Sequence, residues 1–234
     1  MTVLYSFKQW FRSLRRYPQL QARNLNYNQY WHERKLQVNS INEFQLERAR
    51  MVAASISIQS TLLDIGCGNG MVLKEINSRK PLAEKFGVDV SEVALNLARE
   101  NGVQTLRCDI ANPQEREQLP HVDYILLFEV LEHLTFPEEL LGWAVHYAQK
   151  GVFMSVPNTG FLFHRLRLLF GKFPLQWKVN PSEHIRFWTW RDMQWWLNQL
   201  GLDYRLKGYQ GVPGLNRIMP SLFAQGLFVQ IKRQ

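Results

Sequence analysis

The chain has 234 residues, of which 46% are hydrophobic and 21% charged, with a net charge of +8. Those proportions fit one domain of generous size and exclude both wholesale disorder and a membrane-spanning composition. Two cysteines, Cys67 and Cys108, are too few for a disulfide scaffold or a multi-cysteine zinc site.

Residues 1–32 carry Lys8, Arg12, Arg15, Arg16 and Arg23 and no acid, while Leu4, Phe7, Phe11 and Leu14 recur at helical spacing. This pattern predicts a basic amphipathic helix. Residues 1–58 are read as a helical arm, and residues 59–234 as the main domain. From Thr61 onward, apolar runs of strand length alternate with helix-like segments, which is βαβ punctuation. Strands are expected near Thr61–Ile65, Lys85–Val90, Gln104–Cys108, Val122–Phe128, Gly151–Val156, Asp203–Gly208 and Leu222–Ile231. The nearly continuous apolar run Val122–Phe128 should be central, because a parallel strand is covered on both faces. Ser91 reads as the N-cap of a helix ending near Asn101-Gly102, and Thr189–Leu200 as a helix closed by Gly201. An insertion at about residues 159–182 repeats the basic amphipathic theme, with Leu162, Leu166 and Leu169 beside Arg165 and Arg167. The expected architecture is a doubly wound, Rossmann-like α/β fold: a seven-stranded, mostly parallel sheet with helices on both faces.

The chemistry-bearing signal is Asp64-Ile65-Gly66-Cys67-Gly68-Asn69-Gly70, a strand running straight into a glycine-rich turn and then a helix. Backbone without Cβ atoms permits tight turning and close approach of a ligand lying across the strand end. Asp89 closes the second strand, where a carboxylate can accept hydrogen bonds from both ribose hydroxyls. Asp109 and Glu129 follow the third and fourth strands. Four consecutive strands thus deliver acids to one sheet edge, the edge where open α/β sheets bind ligands.

These residues resemble the class I S-adenosylmethionine (SAM)-dependent methyltransferases through D-I-G-C-G-N-G at 64–70, G-V-D-V-S at 87–91, C-D-I at 108–110 and F-E-V-L-E-H-L at 128–134. The resemblance implies SAM as cofactor and S-adenosylhomocysteine (SAH) as product. It would place Asp64 and Gly66, Cys67, Gly68, Asn69 and Gly70 around the methionine portion, Asp89 at the ribose and Val90 on the adenine face. Asp109 and Ile110 would flank the adenine amino group, with Glu129 and Val130 flooring the pocket. In similar methyltransferases a segment upstream of the first strand folds over the cofactor; here Trp31 would cover SAM and Arg34 pair with its carboxylate. A narrower resemblance, to MetW-type methyltransferases associated with methionine biosynthesis, lies in V-P-N-T-G at 156–160, the arginine-rich run from Arg165, and G-K-F-P at 171–174.

Methyl transfer from a sulfonium is an in-line displacement that asks the protein to align donor and nucleophile and to exclude water. A hydroxyl acceptor profits from a general base, and His133 and His184 are the catalytic candidates, ahead of His164. No metal ligand set is expected. The acceptor is expected to be a small or lipid-linked molecule, methylated at oxygen. A protein partner is the alternative if the chain is a non-catalytic SAM-binding subunit. The basic amphipathic segments suit either peripheral contact with an anionic membrane or a lid over the acceptor. The absence of a recognisable RNA or DNA module argues against a nucleic-acid acceptor. No apolar run reaches the roughly 18–20 residues of a spanning helix, so the expected location is cytoplasmic, or peripheral at the inner face of a membrane.

Overall fold

Thr61–Ile65, Tyr124–Phe128 and Gly151–Pro157 are apolar along nearly their whole length, which suits strands buried on both faces. The computed structural model describes residues 2–17, 28, 31, 40–175 and 184–233, and in it these segments are β1, β4 and β5 of a seven-stranded sheet. Glu84–Asp89 is β2, Gln104–Arg107 is β3, Tyr204–Tyr209 is β6 and Gly226–Lys232 is β7. The order is β3-β2-β1-β4-β5-β7-β6, parallel from β3 to β5, with β7 antiparallel to both of its neighbours. β4 holds the middle position, as its sequence predicts.

The helices are α1 (Thr2–Arg15), α2 (Glu43–Ala53), α3 (Met71–Arg79), α4 (Glu92–Glu100), α5 (Pro113–Arg116), α6 (Pro137–Tyr147), α7 (Leu162–Leu169), α8 (Trp190–Gln199), α9 (Leu215–Ile218) and α10 (Pro220–Phe223). Alternation along the strands feeds two cores. Leu63, Ile65, Ile125, Leu127 and Met154 pack with α6 and α8 on one face. Leu62, Leu126, Phe153 and Phe228 pack with α2, α3 and α4 on the other. The predicted caps form: Ser91 Oγ accepts from the Ala94 N–H at 3.3 Å, and Thr189 and Asp192 make a reciprocal capping box. Gly201, at φ +66°, ends α8 in the left-handed region.

Two expectations are corrected. Pairing in the fourth strand begins at Tyr124, because Asp123 is used to staple β1: its carboxylate accepts from the Thr61 N–H at 3.1 Å and its own N–H donates to Thr61 Oγ1 at 2.8 Å. The last strand begins at Gly226 and not at Leu222. Pro220 cannot donate to a ladder but suits the first turn of a helix, so α10 fills that stretch. The strand then starts where Gly226 meets Tyr209, whose ring leaves a Cβ only 2.2 Å of room.

The two basic amphipathic segments meet each other. α1 and α7 pack on each other through buried Trp10, Phe161 and Phe163, with Trp10 edge-on to Phe161 at 5.4 Å. Leu14, Leu162 and Leu166 of the expected stripes pack against this cluster, while Phe11 is 60% and Leu169 76% exposed. The side chains of Leu4 and Phe7 lie outside the described residues. The arginines of α7 are equally occupied. Buried Arg167 donates to the carbonyls of Phe173 at 2.8 Å, Arg16 at 3.0 Å and Ser13, and Arg165 donates to the Gly160 carbonyl at 2.6 Å. Among the described residues no helix is long and apolar enough to cross a membrane.

Candidate active site

Because β1 to β4 run parallel, their carboxyl ends share one rim, and the chain order reverses between β1 and β4. That reversal opens a crevice at the switch point. Gly66, Gly68 and Gly70 take φ values of +71°, +54° and +71°, a region that side chains disfavour. The bend is pinned to the second strand: Gly66 and Cys67 N–H groups donate to the Val88 carbonyl at 2.8 and 2.9 Å, and Gly68 N–H donates to Asp89 Oδ2 at 3.1 Å. The other Asp89 oxygen accepts from Ser91 N–H at 2.9 Å. Burial raises the Asp89 carboxyl above its ordinary value, opposed by the backbone N–H groups of Ser91, Gly68 and Val90. Trp31 covers the bend, since a Cβ on Gly68 would stand 2.6 Å from its ring. Arg34 lies outside the described residues.

Residues 30–207 match the methyltransferase-domain family. The chain is a member of that family. It is 26% identical over 172 residues to the mitochondrial ubiquinone biosynthesis O-methyltransferase of Candida albicans, covering 66% of this chain and 52% of the relative. It is 27% identical over 178 residues to the bifunctional methionine biosynthesis protein MetXA/MetW of Rhodopirellula baltica, covering 69% of this chain and 28% of the relative. The chain thus spans about half, or less, of the length of these curated relatives. The magnesium protoporphyrin IX methyltransferase of Synechocystis, solved with SAH, superposes with a TM-score of 0.55 at 16% identity, covering 98% of this chain and 95% of that one. The chain therefore carries a methyltransferase domain, and its fold is Rossmann-like.

The rim of this methyltransferase fits the cofactor by its bare backbone. A Cβ on Gly66 would come within 2.9 Å of Val130 Cγ2, and one on Gly68 would strike Trp31, so only glycine leaves the strand ends open between those covers. SAM supplies an electrophilic methyl group on its sulfonium. Asp64 is 3% exposed, and burial pushes its carboxyl up to about 7, opposed by Arg48 and reinforced by Asp89. Cys67 is buried beneath Gly87, and burial pushes its thiol up. Asn69 is buried, and its carbonyl accepts from Asn101 Nδ2 at 2.9 Å. Val90 is 38% exposed at the rim, whereas Ile110 packs against the core. Asp109, exposed at the end of β3, uses Oδ1 to accept from Ala111 N–H at 3.0 Å.

The β4 end is more charged than the sequence discloses. Glu129 sits at φ +56°, and its Oε1 receives Ser155 Oγ at 2.7 Å, Arg48 Nη1 at 2.9 Å and Tyr209 Oη at 3.1 Å. Arg48, buried on α2, was not among the expected site residues; its one sequence signal is a charge set beside the apolar face Ala49, Val52 and Ala53. A 3-10 turn at Leu131–His133 then carries Glu132 inward, where it is 1% exposed and neither carboxylate oxygen has a hydrogen-bond partner. The Glu132 carbonyl accepts from the N–H groups of Ile185 at 2.9 Å and Arg186 at 3.1 Å, docking the segment that bears His184. His133 and His184 consequently meet edge to face with ring centroids 4.9 Å apart. Burial and then His133 push His184 down to about 4, with Glu129 pulling the other way. His164 is not part of this pair; it packs edge-on against Phe161. A separate groove of about 890 Å³ lies between α2 and β6, lined by Glu47, Arg50, Arg205, Lys207 and Arg217, and none of the rim acids lines it.

Proposed function

We propose that the chain methylates an oxygen of a small or lipid-linked acceptor, with the cofactor held at the β1–β2 half of the rim and the acceptor at the β4 half. The observation that carries the proposal is the Gly68 N–H donating to Asp89 at 3.1 Å, which makes the bare bend and the ribose-type carboxylate one surface. In this reading Asp64 and Gly66 to Gly70 hold the methionine portion and Asp89 the ribose. Val90, Asp109 and Ile110 bound the adenine, Glu129 and Val130 floor the pocket, and Trp31 with Arg34 closes it. His133 and His184 stand beside Glu129, where an acceptor hydroxyl presents its proton. Oxygen is supported by the Candida albicans relative, an O-methyltransferase.

Calorimetry with SAM and with SAH on the native chain and on Asp89→Ala tests the cofactor half. The variant should lose at least tenfold in affinity, and equal binding by both proteins would refute the assignment. Labelled SAM, turned over with cell extract and separated into lipid and aqueous fractions, then identifies the acceptor class; label in neither fraction would favour a SAM-binding partner subunit.

A peripheral membrane role keeps one supporting observation: Leu168, Leu169, Phe170 and Phe173 are each at least 50% exposed at the end of α7. Salt-sensitive co-sedimentation with anionic vesicles is the expected behaviour. Equal recovery with neutral vesicles, or none with either, removes this role and leaves the lid.

A further inference from the structure

The groove between α2 and β6 has no part in the cofactor reading. Its cations converge from three elements that are remote in sequence: Arg50 on α2, Arg205 and Lys207 on β6, and Arg217 on α9. All four are exposed, and among the described residues none of them makes an ion pair. Two carboxylates share the lining, those of Glu43 and Glu47, and Glu47 Oε2 is already taken by the backbone and side-chain N–H groups of Gln210 at 3.3 and 2.5 Å. The hollow therefore keeps an excess of positive charge, and a concave surface focuses that field on anions. Charge on an edge strand discourages pairing with another chain, which accounts for Arg205 and Lys207 but not for Arg50 and Arg217. The three elements are also fixed to one another. Gln210 and Gly211, at φ +54° and +94°, turn the chain back after β6, and a Cβ on Gly211 would stand 2.1 Å from the Phe223 carbonyl oxygen. Asn216 Nδ2 ties α9 to the Gln210 carbonyl at 3.0 Å, as Glu47 ties α2 to the same residue.

We propose that this groove binds a soluble small molecule through a diphosphate or bisphosphate group. Guanidinium forks match phosphate oxygens in pairs, and an ammonium adds a compact point charge. Arg205 and Lys207 stand two residues apart on one strand and so share a face at a spacing of about 7 Å, wider than a single phosphate group. Arg50 and Arg217 flank them from the two helices. The volume of about 890 Å³ is that of a small-molecule site. Gln230, paired in register with Arg205, offers the rest of such a ligand a neutral donor and acceptor. The site is separate from the SAM rim, because none of the rim acids lines it.

The test is equilibrium dialysis of the whole chain against labelled inorganic pyrophosphate, with and without saturating SAM. One pyrophosphate per chain is expected, at an affinity that falls with added salt and is indifferent to SAM. Lys207→Gln and Arg217→Gln should each weaken binding about fivefold or more. Arg191→Gln removes the same charge from α8, on the opposite face of the sheet, and should leave binding within about twofold. No binding by the native chain, equal weakening by all three variants, or displacement of pyrophosphate by SAM overturns the proposal. A parallel arm uses vesicles of phosphatidylcholine with and without phosphatidic acid: binding to the phosphatidic acid vesicles without binding of free pyrophosphate would replace the soluble ligand with a lipid surface and overturn it equally.

Discussion

Asp64 is the rim acid whose charge state can be read from stability alone. It is 3% exposed, and it feels the charges of Arg48 on α2 and Asp89 on β2 and acts in turn on the Cys67 thiol. Burial lifts it from an ordinary 3.8 to about 7. A carboxyl raised on folding contributes stability that is fully present below 3.8 and is lost as the pH rises through about 7, because the folded chain holds the proton longer than the unfolded one. Between pH 5 and pH 8 the loss from this one group is about 2.5 kcal/mol, at 1.36 kcal/mol for each unit over which the two states differ. Asp64→Asn keeps the shape and removes the ionisation. Urea unfolding of both proteins without cofactor at pH 5 and pH 8 should therefore show the variant gaining about 2.5 kcal/mol on the native chain across that interval, with the contributions of groups distant from Asp64 cancelling in the difference. Parallel behaviour of the two proteins at both pH values would refute the buried, raised carboxyl and with it the described electrostatics of the rim.

Gly68→Ala forces a side chain into a φ of +54° and into the Trp31 ring. About 1–2 kcal/mol of stability should be lost in thermal unfolding, with SAM affinity falling at least tenfold by calorimetry; an unchanged affinity would mean that Trp31 and the bend do not border the cofactor. Arg48→Met keeps the alkyl stem but withdraws the cation from Glu129. Because the Glu129 side chain is 34% exposed and keeps its bonds from Ser155 and Tyr209, the expected loss is about 1.5–3 kcal/mol in denaturant unfolding, and a change under 0.5 kcal/mol would show the pair to be a solvated contact.

The parts of the fold that were legible in the sequence are those fixed by short-range rules. Thr61–Ile65 reads as a strand because five residues of one chain segment decide it, and Ser91 reads as a cap because its hydroxyl bonds three residues on. The parts that a local pattern leaves open depend on distant partners. A helical stripe such as Leu4, Phe7, Phe11 and Leu14 says that one face is apolar but not which ring finds a neighbour, and Trp10 does so only because Phe161 and Phe163 lie across from it. Arg48 looks like a solvated helix charge until β4 brings Glu129 to it. Glu132 was visible in the Glu-x-x-Glu-His run, but its burial follows from the 3-10 turn, which local propensity does not specify.

Arg48 and Glu132 both bear on the β4 end, and that has a physical meaning. Local rules are broken at the β4 end, by a left-handed Glu129 and a partnerless buried Glu132, while the sheet beneath is regular. Such strain persists where surrounding structure over-determines it. Arg48 supplies part of that determination: it pairs with Glu129 at 2.9 Å, opposes the rise of both Asp64 and Glu132, and faces the Phe128 ring at 5.3 Å. A single guanidinium on α2 thus bears on the strand end that leads into the glycine bend and on the strand end proposed to meet the acceptor. Loss of that cation would raise the cost of negative charge at both ends together, so the two halves of the rim are electrostatically one unit.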